Sequence, residues 1–292
     1  MNNLKTAAAL LPVRLNSEIL VMPDELKESV EEIRLRVGQA VTVLVHGSEY
    51  ILAPEKQLSA YDLENVLECA SGASVHSVEN ELSNGFINVG GGIRLGVCGT
   101  AVMRSGAVGG MRELSSLSIR IPKEIHDCAQ KELKQMLRDG LTDILIISPP
   151  GGGKTTCLRE YIRRISDMGH RVSVADERGE ICAIVNGKPQ FDMGSHCDVI
   201  CDAPKAKAAM MMIRAMNPEL LAMDEISSRE DIAAVFEASG CGVHILATAH
   251  AASVDDLYRR RVYRELMEAD VFRYCLIIEN KEGVRSYSIE EL

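Results

Sequence analysis

The stretch Ser-Pro-Pro-Gly-Gly-Gly-Lys-Thr-Thr at 148–156 constrains this chain more than any other. It follows an apolar run, Ile-Leu-Ile-Ile at 144–147, and opens a segment of helical character that reaches about residue 167. Strand, glycine loop, Lys-Thr and helix, in that order, make a phosphate-binding P-loop. Glycines let successive loop N–H groups turn inward around a phosphate chain. The helix N-terminus adds the positive end of its dipole at the same point. Lys154 is placed to reach β- and γ-phosphates, and Thr155 to hold Mg²⁺. Pro150, Gly151, Gly152, Gly153, Lys154, Thr155 and Thr156 are therefore the candidate nucleotide-binding residues. The usual pattern begins with Gly, and this chain has Ser148 there; Gly151 to Gly153 still supply the backbone freedom.

At 292 residues the chain has room for two domains. Its core must be aliphatic, because there is no Trp and only 4 Phe. The net charge of −10 argues against non-specific nucleic-acid binding, which needs clustered Lys and Arg. Nine cysteines are scattered with no C-x-x-C, which suits a reducing compartment. His196, Cys197 and Cys201 match no common zinc spacing and are expected to be buried or loop thiols. No run approaches ~18 apolar residues, so nothing is expected to span a membrane. The apolar stretch at 7–11 is too short for a signal peptide.

Residues 1–122 predict a small α+β domain. Alternating segments at 32–37, 41–45 and 50–52 read as strands, and 62–70 has helical spacing. Residues 85–89 and 93–102 read as a hairpin across Gly90, Gly91 and Gly92, and 105–110 as a flexible glycine-rich loop. A closing strand is expected at 118–121. Residues 123–292 alternate helix and strand, with strands at 144–147, 172–175, 220–223, 243–247 and 276–278. That pattern predicts an α/β, RecA-like P-loop motor domain with a mainly parallel sheet covered on both faces.

Three further strand ends carry polar residues where such sheets bind ligands. Leu-Leu-Ala-Met at 220–223 delivers Asp224 and Glu225. Asp224 is placed to organise Mg²⁺ through water, and Glu225 to polarise the attacking water. Asp176 and Glu177 end another strand and are expected to share the water-activating or metal-orienting task, although acidic residues also favour a helix N-terminus. His250 ends a third strand, where it would sense the γ-phosphate. The methionine run 210–216 is expected to be helix core. Arg259, Arg260, Arg261 and Arg264 read as a solvated or subunit-facing helix, with Asp255 and Asp256 four residues earlier.

Taken together, 218–226, Arg229-Glu230 and 242–250 resemble the Walker B and histidine-box run of the secretion and pilus (traffic) ATPases. Residues 176–180 resemble their aspartate box, and 118–122 the strand joining their two domains. Two departures stand out: those ATPases commonly have Gly at Asp224, and Arg at Ser227. A closer resemblance runs through nearly the whole chain. Glu-Ile-Arg-Leu-Arg-Val-Gly at 32–38, Gly-Gly-Gly-Ile-Arg-Leu-Gly-Val-Cys-Gly at 90–99, 174–178, 210–218 and 223–226 are similar to the stage III sporulation protein AA family. The resemblance implies an ATP- and Mg²⁺-dependent ATPase in the cytoplasm of the mother cell. There it would power or assemble the channel complex to the forespore and meet the membrane only through channel proteins. It also implies a homo-hexamer with nucleotide between domains and subunits, no stable nucleic-acid partner, and N-terminal arginines reaching the phosphates. Arg94, Arg104 and Arg120 are the candidates, with Arg34 and Arg36 behind them. Two rival classes are a nucleic-acid motor or helicase loader, whose hydrolysis DNA would stimulate, and a scaffold that binds ATP with little turnover.

Overall fold

The computed structural model describes residues 2–72, 82–83, 85–104, 106–185, 187–281 and 284–292. The chain divides into two compact units, Met1–Lys123 and Glu124–Leu292.

In the first unit, β1 (Val30–Arg36), β2 (Val41–Val45), β3 (Ser48–Leu52), β4 (Phe86–Val89), β5 (Ile93–Arg104) and β6 (Ala107–Arg120) form a six-stranded sheet in the order β3-β2-β1-β6-β5-β4. Each neighbouring pair is antiparallel. Ile33 and Leu35 turn to the same core as Val43, Leu95, Leu117 and Ile119. There they meet Leu4, Ala7, Leu15 and Ile19 from helices Asn2–Ala9 and Val13–Leu20, and Leu63 and Val66 from helix Ala60–Ala70. Alternation puts Glu32, Arg34 and Arg36 on the other face. A one-residue slip would expose the buried set at roughly 1.5–3 kcal/mol per side chain, which fixes the register. Helix Ala60–Ala70 starts at a capping box between Ser59 and Asp62.

The loop expected at 105–110 is instead the turn of a long hairpin; residue 105 lies outside the described residues. Arg104 pairs with Ala107, Met103 with Val108 and Val102 with Gly110. Gly106 turns at φ +84°, and a Cβ on Gly109 would lie 2.8 Å from the Arg104 side chain. These glycines permit a tight turn and a side chain crossing over it, rather than a loose loop.

In the second unit, β7 (Ile144–Ser148), β8 (Val172–Asp176), β9 (Cys197–Cys201), β10 (Leu220–Met223), β11 (His244–His250), β12 (Tyr274–Lys281) and β13 (Val284–Glu291) form a seven-stranded sheet in the order β13-β12-β7-β11-β10-β8-β9. All neighbours are parallel except β12 and β13. Both faces are buried. Leu145, Ile147, Leu221, Met223 and Ile245 pack with helices Lys205–Met216, Arg229–Gly240 and Arg261–Glu268. Ile144, Ile146, Val174, Leu220 and Leu246 pack on the opposite face with helices Gln130–Met136 and Lys154–Asp167. The α/β reading of this region therefore holds, and the apolar runs of its interior strands are continuous because both sides of those strands face protein.

Three expectations are corrected here. Cys197 and Cys201 lie on the edge strand β9, not in a loop, and among the described residues no cluster of three metal-ligating side chains forms. Of the methionine run, Met212 is buried while Met211 and Met216 are exposed, because a single helix face meets the sheet. The arginine cluster is not one helix: the chain breaks at Arg260 between helices Val254–Arg259 and Arg261–Glu268, so Asp256 and Arg260 do not share a helix. Asp256 instead accepts from the Ala252 N–H at 3.3 Å.

Candidate nucleotide-binding site

Sheet register gathers the site. His250 at the end of β11 pairs with Ser148 at the end of β7. Met223 pairs with Ala247 on one side and Ala175 on the other. The residues that follow, Asp224, Thr248 and Asp176, therefore share the carboxyl edge of the sheet, where the P-loop also begins.

The loop is shaped by what its glycines leave out. Gly151 and Gly153 hold φ +74° and +103°, which side chains rarely adopt. A Cβ on Gly152 would lie 2.3 Å from Ser148 Oγ, and one on Gly153 would lie 2.9 Å from Arg285 Nε. Ser148 is therefore accommodated by Gly152: it is buried, and its hydroxyl donates to the Pro149 carbonyl at 2.8 Å. Pro150 and Gly151 stand exposed at the crest of the loop. Arg285 on β13 donates from Nε to the Gly152 carbonyl at 3.1 Å.

Lys154 is 5% exposed. Its ammonium donates to the carbonyls of Ser148 at 3.2 Å and Pro149 at 3.4 Å, and lies 2.9 Å from His250 Nδ1. Burial pulls its pKa below the ordinary lysine value, and the carboxylates of Asp224 and Glu225 oppose that shift. Because an ammonium only donates, Nδ1 must accept and carries no proton. The other nitrogen, Nε2, then holds the proton and donates it to Glu225 Oε1 at 2.5 Å. Lys154, His250 and Glu225 thus form one relay with a fixed histidine tautomer.

Glu225 Oε2 accepts from Arg178 Nη1 at 3.1 Å, so both carboxylate oxygens are engaged. Burial pushes its carboxyl up, but the His250 hydrogen bond and the Arg178 and Lys154 charges outweigh that and hold it below the ordinary glutamate range. Its backbone sits at φ +48°, an unusual place for a residue with a Cβ. The Glu225 N–H donates to Thr248 Oγ1 at 2.8 Å and to Asp224 Oδ1 at 3.0 Å.

Thr155 Oγ1 donates to Asp224 Oδ2 at 2.7 Å, and the Thr248 hydroxyl donates to Asp224 Oδ1. A threonine hydroxyl beside a carboxylate, next to a loop that only glycine can build, is the hard-oxygen donor set that fits Mg²⁺. Thr156 follows on the first turn of the same helix, half-buried.

The acidic pair at 176–177 is engaged by protein groups. Asp176 is 2% exposed. Its carboxylate accepts the backbone N–H groups of Glu180 at 2.9 Å, Ile181 at 3.1 Å and Cys182 at 2.8 Å. Burial pushes its pKa up, the three N–H groups oppose this, and the nearby Asp224 charge adds to the rise. It ties down the chain after β8. Glu177 lies 3.8 Å from Lys205 Nζ.

Arg94 and Arg120 belong to the first unit, at paired positions of β5 and β6, where the Arg94 guanidinium stacks 3.5 Å over the Phe86 ring. Arg34 donates to Glu32 at 2.6 Å, and Arg36 to Glu49 at 3.1 Å.

Sequence reasoning passed over Thr248, Arg178, Lys205, Arg260 and Arg285 as site residues. A threonine inside the apolar run of β11 was one available signal, since it shares a face with His250 two residues on. Arg260, set aside with its cluster, donates to the His250 carbonyl at 2.6 Å. Arg178 lies inside the 176–180 segment without being singled out there; Lys205 and Arg285 come from distant parts of the chain, and no local pattern marks them.

Comparison with known proteins gives the family and the fold. The family described as Sporulation stage III, protein AA matches residues 5–287. Stage III sporulation protein AA of Bacillus subtilis (strain 168) is 33% identical over 282 residues, 94% of this chain and 91% of that protein. Among solved structures, the Yersinia pseudotuberculosis ATPase DotB aligns with TM-score 0.65 at 17% identity, over 96% of this chain and 79% of that one. The pilus retraction motor PilT with bound ADP aligns with TM-score 0.61 at 18% identity, over 91% and 81%. At such identities the likeness is one of fold, that of the secretion and pilus ATPases. With its sequence matched almost end to end, the chain belongs to the sporulation stage III protein AA family.

Proposed function

We propose that this chain binds MgATP at residues 151–156 and hydrolyses it, acting as a ring-forming motor of the secretion-ATPase type. The observation that carries the reading is the relay from Lys154 through His250 to Glu225, set beside the Thr155–Asp224 pair. Loop N–H groups and Lys154 would bind the phosphates, and Thr155 with Asp224 would hold Mg²⁺. The metal, when bound, supplies Lewis-acid stabilisation of charge on the phosphate oxygens. Lys154 would exchange His250 Nδ1 for phosphate oxygens. His250, released on that side, keeps Nε2–H on Glu225 and so couples phosphate occupancy to the carboxylate. Glu225 would turn one oxygen from Arg178 to a water proton and orient that water. Arg94 and Arg120, from the same or a neighbouring subunit, would complete the charge around the phosphates.

Family membership and the fold support placing this motor in the mother cell, as a homo-hexamer that energises or assembles the channel complex facing the forespore. Among the described residues no helix is long and apolar enough to cross a membrane. The test is turnover and binding measured together. Glu225→Gln should keep MgATP binding and lose roughly 10²–10⁴-fold in kcat. Wild-type turnover in that variant would refute the assignment.

A further inference from the structure

We propose that Lys205 is a positioning residue for Glu225, holding the backbone of that residue in its left-handed conformation; this rests on the ATPase reading above. Lys205 begins helix Lys205–Met216, directly after Pro204, and its side chain is 11% exposed. Its ammonium donates to the Glu225 carbonyl at 2.6 Å and the Asp224 carbonyl at 3.1 Å. Asp231 lies 3.6 Å away and Glu177 3.8 Å away. Two of its N–H groups are thus committed to the two residues that would manage metal and water, and two carboxylates balance its charge.

Glu225 needs such a clamp. At φ +48° a residue with a Cβ is held against its own preference by its surroundings. On the amino side the Thr248 hydroxyl and the Asp224 carboxylate accept the Glu225 N–H. On the carbonyl side Lys205 is the side-chain donor. The Ile226 N–H then bonds the Thr248 carbonyl at 2.9 Å, returning the chain to β11. Without Lys205 the Glu225 peptide loses its charged anchor and can rotate, swinging the carboxylate away from His250. Glu177 acquires a task as well: its carboxylate restrains Lys205 from the β8 side, and it influences Glu225 through that lysine.

The experiment compares Lys205→Met, similar in length with no donor, with the wild-type full-length chain. Three quantities are read: kcat, MgATP affinity by equilibrium titration, and the Glu225 φ in a nucleotide-free crystal structure. The expected result is a kcat lowered about a hundredfold, as for a misplaced catalytic group, with MgATP affinity unchanged and Glu225 out of the left-handed region. Thermal unfolding run alongside shows whether the variant is folded; if it is not, Lys205→Gln, which keeps an amide NH₂ but loses the charge and part of the reach, takes its place. Glu225 remaining near its wild-type φ in the folded variant overturns the proposal, as does wild-type kcat. Absence of turnover in the wild type would count against the ATPase reading, and the φ comparison would still decide the role of Lys205.

Discussion

Glu225 meets His250 with one carboxylate oxygen and Arg178 with the other while its backbone is held at φ +48°. A carboxyl whose folded pKa lies below its unfolded value contributes stability above the unfolded pKa and loses it as pH falls through the folded one. Glu225 is such a group. The stability gap between wild type and Glu225→Gln should therefore be steady near neutral pH and close as pH falls through and below the ordinary carboxylate range. Urea unfolding across that range measures it; a gap that widened in acid would contradict the sign. Asp176 has the opposite character, and its oxygens serve the backbone. Asp176→Asn would place an amide NH₂ against N–H groups and should cost about 1–3 kcal/mol of stability, read from the same unfolding curves; no loss would mean those bonds are idle. In sequence these two acids look alike, each ending an apolar strand. What each one binds depends on the turn that follows, and for Asp176 that turn brings three N–H groups at 180–182 to its carboxylate.

Elements were legible where burial makes a strong pattern. The strands ending in Ser148, Asp176, Met223 and His250 are interior, so their apolar runs stand out. β9 and β13 are edges, with mixed polar and apolar residues facing solvent, and nothing in their pattern separates them from loops. β13 nonetheless matters, because Arg285 closes over the P-loop from it. That contact makes the loop sensitive to the smallest substitution. Gly153→Ala would strain a backbone at φ +103° and drive a methyl group against Arg285. MgATP affinity should fall at least about tenfold, since strain of ~1–2 kcal/mol at one left-handed residue is of that order. Titration with a fluorescent ATP analogue checks it, and unchanged affinity would mean that the loop relaxes freely.

At the scale of the whole molecule, the family resemblance reached further than any local pattern, because its motifs lie in both units. The parallel sheet and the P-loop edge follow from residue patterns alone. The relay does not: Lys154 and His250 are 96 residues apart and meet only through the β7–β11 register. The net charge of −10 also bears on this scale. Clustered phosphate contacts are needed for DNA to bind, and hydrolysis by this chain should be indifferent to added DNA at moderate salt.

The most direct measurement is the ATP hydrolysis rate per subunit across protein concentration, with Glu225→Gln beside it and DNA added or omitted. An assembling motor predicts a specific rate that rises cooperatively with concentration, disappears in Glu225→Gln and ignores DNA. No turnover at any concentration, or turnover that appears only with DNA, would contradict it.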